Sequence, residues 1–202
     1  MTFILLTVGT LLIKLTEMNN ITWLGSFFAS VTARTAGFST FSFGAFSKAG
    51  LLVMMALMFI GASSGSVGGG IKTTTFFVII KYIIATVKQG DVRAFKYSIP
   101  KEIYKKATVI AFIGVSVIAL STFFLCIFEP SIDFIDLMFE SVSAFATVGL
   151  STGISPNLSV GSKIVSMLVM YIGRLGPLTV VTIWNFGKPS NVRYPDGNIA
   201  IG

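Results

Sequence analysis

The sequence predicts an all-α integral membrane protein made of two tandem pore units, each an outer helix, a half-helix, a polar filter loop and an inner helix. Three observations predict it. The chain is 53% hydrophobic and only 11% charged, with a mean hydropathy of +0.86, where soluble domains carry about 25% charged residues. The segment Ser30–Thr40 (SVTARTAGFST) returns as Ser141–Thr152 (SVSAFATVGLST), with one extra residue before the Thr-x-Gly core. Downstream, Met58-Phe59-Ile60-Gly61 answers Met170-Tyr171-Ile172-Gly173, and Gly61 follows Gly37 at the interval at which Gly173 follows Gly149. Two unlike motifs repeating at one spacing mark a duplicated structural unit. A Gly-centred polar loop between apolar helices is a way to build an ion pore.

The first unit, residues 1–90, opens with Phe3–Leu15. At about 1.5 Å per residue this stretch reaches roughly 20 Å, short of a bilayer core of about 30 Å. It has no basic leader and no clean cleavage site, so it is read as the truncated tail of an outer helix rather than a signal peptide. Trp23–Arg34 is an amphipathic half-helix, and Thr35-Ala36-Gly37-Phe38-Ser39 is the loop it feeds. Ala49–Ile60 and Ile71–Val87 are two pieces of one inner helix, separated by a Gly/Ser break. A basic connector at 91–106 follows, within Lys88–Lys106, and the positive-inside rule places it in the cytoplasm. The second unit, 107–187, contains the spanning helix Ala107–Phe128, the half-helix Asp133–Ala146 with Asp133 as N-cap or first-turn acid, the loop Thr147-Val148-Gly149-Leu150-Ser151, and the inner helix Gly161–Phe186, which Pro177 kinks. The tail 188–202 returns to the cytoplasm. Both loops and the acids Glu129, Asp133, Asp136 and Glu140 then face outside. The net charge of +7 is explained by this topology, with no nucleic-acid partner implied.

The candidate ion filter is Thr35, Ala36, Gly37 and Phe38 with Thr147, Val148, Gly149 and Leu150. Non-helical backbone at membrane depth is tolerated where it lines a cavity or is buried in protein. Its carbonyls can replace the hydration shell of a bare monovalent cation, and glycine permits the angles that turn them inward. The loops hold no carboxylate, which disfavours a divalent site. The partial negative charge at the C-terminal end of each half-helix favours a cation. Ordinary helix-connecting turns are the alternative, and the second copy with its matched spacing argues against them.

The break Gly61–Thr73 (GASSGSVGGGIKT) is not a phosphate loop, because Ile71 separates Gly70 from Lys72 and apolar segments flank it. Its five glycines and three serines weaken the helix, at about 1 kcal/mol per glycine relative to alanine. Gly61, Ser63, Ser64, Gly65, Ser66, Gly68, Gly69 and Gly70 are candidate gate residues beneath the filter, the alternative being a passive kink for close packing. Arg174 is charged in mid-span, which costs a few kcal/mol on insertion scales. The repeat sets it opposite Ala62, and its candidate partners are Glu140, carbonyls of the break or a carbonyl near the filter. It joins the gate residues, with a purely structural ion pair as the other reading. Arg34 is read as bracing the first filter loop from behind. The chain has no His and one Cys, Cys126, which excludes a His relay, a Cys/His zinc site and an internal disulfide. A membrane enzyme is disfavoured and no cofactor is expected.

The runs TARTAGFST, GASSGSVGGGIKTTT, FATVGLSTG and GRLGPLT resemble the Trk/Ktr/HKT potassium transporter superfamily, and the whole chain resembles the C-terminal half of a KtrB-type membrane subunit. The resemblance implies four such units around one pore on a pseudo-fourfold axis, of which this chain supplies the third and fourth. It implies filter glycines at Gly37 and Gly149 holding K+ through backbone carbonyls, an intramembrane gating loop at the break, and a pore-lining arginine at Arg174. It also implies a homodimer through the C-terminal tail and a cytoplasmic ring of nucleotide-binding regulatory subunits at the basic connector, which a plain topology signal explains equally well. The expected function is potassium uptake across the plasma membrane by a multi-pass protein in contact with lipid. Sodium linkage and Na+ permeation stay open, although glycine at both filter positions leans toward K+. The other reading is a non-transporting scaffold or partial subunit that needs a separate N-terminal half.

Overall fold

The computed structural model describes residues 1–18, 20–63, 65–66, 68–94 and 97–176. Seven α-helices follow one another among the described residues: α1 Thr2–Thr16, α2 Trp23–Thr32, α3 Lys48–Phe59, α4 Thr73–Val87, α5 Lys101–Phe128, α6 Phe134–Ala146 and α7 Val160–Leu175. Short 3-10 turns at Phe43–Ala45 and Ser155–Asn157 precede α3 and α7. N-caps set several starts: the hydroxyls of Thr22, Ser47 and Ser159 accept from the amides of Gly25, Gly50 and Ser162.

The expected elements are present, with adjusted edges. The first half-helix ends at Thr32, and Ala33 and Arg34 turn out of it. Asp133 holds the N-cap position of α6, but its carboxylate meets Lys48 at 2.8 Å instead of capping the helix. The last six residues of the basic connector are helix, because Pro100 stands at the N-cap of α5 and Glu102 lies in its first turn, where an acid suits the dipole. The all-helical expectation misses one detail of the connector: Arg93–Ala94 (β1) pairs antiparallel with Tyr97–Ser98 (β2). Pro177, the remainder of the expected span Gly161–Phe186 and the tail lie outside the described residues, as does Ser64.

Among the described residues one helix, α5, is long and apolar enough to cross a membrane, with 28 residues at a hydropathy of 2.5. At about 1.5 Å per residue it reaches roughly 42 Å. Phe112, Leu120 and Phe123 on it are exposed, an arrangement that lipid solvates and water does not. Its other face packs on α6 and α7, and α3 packs against α1 and α6. One core joins both units, centred on Ile13, Met54, Met58, Phe139 and Phe145, all fully buried. Gly114 of α5 admits the Phe145 ring, since a Cβ there would stand 3.1 Å from it. The two half-helices are thus held mid-molecule between longer helices, which brings their C-terminal ends together.

Candidate functional site

Both Thr-x-Gly loops adopt the same unusual backbone. Thr35 (φ +68°) and Thr147 (φ +51°) are left-handed, and so are Gly37 (φ +77°) and Gly149 (φ +90°). A β-branched residue in that region is a genuine outlier. Its recurrence at equivalent positions makes it a property of the unit. In the first loop the Gly37 amide donates to the Thr32 carbonyl at 3.3 Å, and in the second the Val148 amide donates to the Ser143 carbonyl at 3.0 Å. The extra residue of the second copy is absorbed in this turn, where Phe145 and Ala146 are fully buried.

The loops touch. A Cβ added to Gly37 would collide with the Val148 carbonyl oxygen and stand 3.9 Å from the Gly149 Cα. Val148 and Leu150 bury their side chains in the core, whereas Ala36, Phe38 and Gly149 are exposed. The second loop therefore offers backbone, not side chain, at its glycine. No group of three or more His, Cys, Asp or Glu occurs among the described residues, so a cation here would rest on carbonyl and hydroxyl oxygens.

The glycine-rich break lies against the same loops. The Ile71 amide donates to the Phe59 carbonyl at 3.0 Å and the Thr73 amide to the Ala62 carbonyl at 3.3 Å. The break is thus a closed excursion, not a stretched kink. Its returning arm meets Thr35 and Thr147. The Gly69 amide donates to the Thr147 hydroxyl at 2.9 Å, and a Cβ on Gly68 would stand 2.6 Å from the Thr35 hydroxyl. Gly61 is equally confined, since a Cβ there would strike the Gly69 carbonyl. Ser63, Gly65 and Ser66 are exposed, and Gly70 turns with φ +72°. The Lys72 ammonium donates to the Ser66 carbonyl at 2.9 Å and to the Gly68 carbonyl.

Arg34 meets other partners than expected. Arg34 donates to the carbonyls of Gly61 and Thr2, each at 3.4 Å, so it braces the mouth of the break and α1 rather than the filter loop. Glu140, a candidate partner of Arg174, is engaged elsewhere: its carboxylate accepts from Ser151 and Ser155. Arg174 stands in the last turn of α7. Beside it, Gly173 presses its backbone on the Phe145 carbonyl.

Sequence reasoning missed a duplicated acid latch. Glu17 follows α1 and is buried, and its Oε1 accepts from the Ser47 amide at 2.7 Å and the Ser47 hydroxyl at 2.6 Å. Glu129 follows α5 and accepts from the Ser159 amide at 2.6 Å and the Ser162 hydroxyl at 3.0 Å. Each latch ties the end of an outer helix to the start of an inner helix. The signal was available: Glu17 and Glu129, like Ser47 and Ser159, stand at the separation of Gly37 and Gly149. The Ser159 amide holds the Glu129 carboxyl below its ordinary range, and Lys48 does the same for Asp133.

Residues 1–193 match the family described as TrkH, cation transport protein. The chain is 40% identical over 178 residues to the Ktr system potassium uptake protein B of Bacillus subtilis (strain 168), an overlap covering 88% of this chain and 40% of that protein. It is 37% identical over 210 residues to the Ktr system potassium uptake protein B of Vibrio alginolyticus, covering 98% and 46%. To the potassium/sodium uptake protein NtpJ of Enterococcus hirae it is 36% identical over 218 residues, covering 100% and 48%. The crystal structure of the potassium transporter TrkH from Vibrio parahaemolyticus shares the fold, with a TM-score of 0.67 over 91% of this chain and 42% of that one at 20% identity. The chain spans less than half the length of each of these relatives.

Proposed function

Because the chain belongs to the TrkH family of cation transport proteins, we propose that it forms two of the walls of a potassium-selective pore in the plasma membrane. The observation that carries this reading is the contact of two loops that share left-handed Thr and Gly residues and are separated by no side chain at Gly37 and Gly149. Such backbone presents oxygens to a dehydrated K+ without reorganisation. The relatives named for potassium uptake support the choice of ion, and the one named for potassium and sodium keeps sodium linkage within the reading. The break Gly61–Gly70 is the gate, because its returning arm rests on both filter threonines. Arg174 and Lys72 place positive charge beside it. The boundaries 1–90, 91–106, 107–187 and 188–202 are the proposed units, connector and tail. Membrane lipid, a second copy and a cytoplasmic nucleotide-binding ring are the proposed partners.

The whole pore needs more loops than this chain carries in the described residues. The test is therefore uptake of K+ by a transport-deficient strain expressing the chain alone, and the chain joined to the N-terminal half of a Ktr relative. Uptake by the joined form and not by the chain alone is expected. Absence of uptake from both, with both proteins in the membrane, overturns the reading and leaves the scaffold role.

A further inference from the structure

The carboxylate of Glu140 has no counterpart in the first unit, where the aligned position is the buried Ala29. It projects from the middle of α6, the half-helix that ends at the second filter loop. Two hydroxyls, one at the end of that loop and one just after it, converge on it. The Ser151 hydroxyl donates to Oε1. The Ser155 hydroxyl lies 3.0 Å from both Oε1 and Oε2. Ser151 then accepts from the Gly153 amide at 2.9 Å, and Ser155 lies 2.9 Å from the Ser151 hydroxyl. The segment Leu150–Ser155 thus folds around one partly buried acid, with no basic side chain among its described partners. The first loop lacks this tie: Ser39 donates to the Phe41 carbonyl, within its own strand of chain.

We propose that Glu140 is a positioning residue for ion selection: it holds the outer end of the second filter loop in place, and its charge raises the affinity of that loop for a cation. The inference rests on the transport reading above for its functional part and on the hydrogen-bond geometry for its structural part. A carboxylate that accepts several donors at once fixes their relative positions more firmly than neutral bonds do. The Gly149 carbonyl lies two peptide bonds before Ser151, so freedom at Ser151 passes directly to it. The pore is then asymmetric: one loop is tied to an acid, and the other is held by hydroxyl and amide bonds to carbonyls.

Two measurements test this on the joined, full-length form, with Glu140→Gln and Glu140→Ala. Hydrogen exchange at the amides of Leu150–Ser155 reads the positioning directly and does not depend on transport. Faster exchange there in Glu140→Ala, with α3 and α5 unchanged and Glu140→Gln intermediate, is the expected result. Unchanged exchange in Glu140→Ala overturns the proposal. Uptake kinetics read the consequence. We expect a roughly fivefold rise in the half-saturating K+ concentration in Glu140→Gln, the scale of one charge acting through a partly screened path, with the maximal rate and the protein content of the membrane retained. Equal half-saturation in all three forms, or a loss confined to the maximal rate, overturns the role in ion selection. A parent that exchanges as expected but carries no K+ refutes the transport reading instead.

Discussion

A methyl group on Gly37 has nowhere to go. It would meet the Val148 carbonyl, and the residue would keep a φ of +77°. Gly149 has the same kind of angle, φ +90°, but empty space where its Cβ would stand. Glycine thus serves the two positions for different reasons, and their alanine variants should separate. Gly149→Ala should lower thermal stability in detergent by about 1–2 kcal/mol, the cost of a left-handed alanine. Gly37→Ala adds an overlap worth about another 1–3 kcal/mol. Equal losses would mean that the loops are not in contact. The glycines were legible because the motif repeats. The left-handed Thr35 and Thr147 were not, since threonine disfavours that region and only contacts made by distant residues hold it there.

At the scale of elements, the duplication extends to packing. Ile13 and Leu125 occupy equivalent places on α1 and α5, and each is fully buried. Ser30 donates to the Leu6 carbonyl at a site where Gly9 leaves room, while its counterpart Ser141 meets Ser121, which stands in the place of Gly9. The acid latches belong to the same scheme. Glu17→Ala would remove the buried carboxylate to which the Ser47 amide and hydroxyl donate, for a loss of about 1–3 kcal/mol in thermal unfolding. Glu129→Ala should cost less, because Glu129 is only partly buried. Its contribution also has a pH signature. The Ser159 amide depresses the Glu129 pKa in the folded state, so the latch contributes fully above the ordinary carboxylate range and is lost as pH falls through the depressed value. The stability difference between parent and Glu129→Ala should be constant from pH 7 to about pH 5 and shrink under more acid conditions. A difference that grows on acidification would contradict the latch. Helix spans were readable from hydropathy. The latches were not read, because an acid at a helix end ordinarily faces water, and burial of Glu17 depends on Ser47, far along the chain.

Across the whole molecule, the two Thr-x-Gly loops and the break form one contact chain, from Gly149 through Thr147 to Gly69 and on to Lys72. Deleting Ser63–Gly68 should raise K+ flux in the joined form while leaving its preference over Na+ intact. Thr147→Val, which removes one neutral hydrogen bond of about 1 kcal/mol, should raise flux by about fivefold, and Thr147→Ser should not. Unchanged flux in the deletion and in Thr147→Val would make the break a passive packing device. Two units, their order and their glycines could be read from the sequence because duplication writes them twice. The docking of the break on Thr35 and Thr147 is written once, in three dimensions, and so was not. Lys72 gives that docking a further meaning. Its ammonium already fills the oxygens of Ser66 and Gly68, so the closed excursion carries its own tethered cation. On the transport reading proposed above, an ion descending past the threonines would meet no vacant berth there, only a competitor fastened in place.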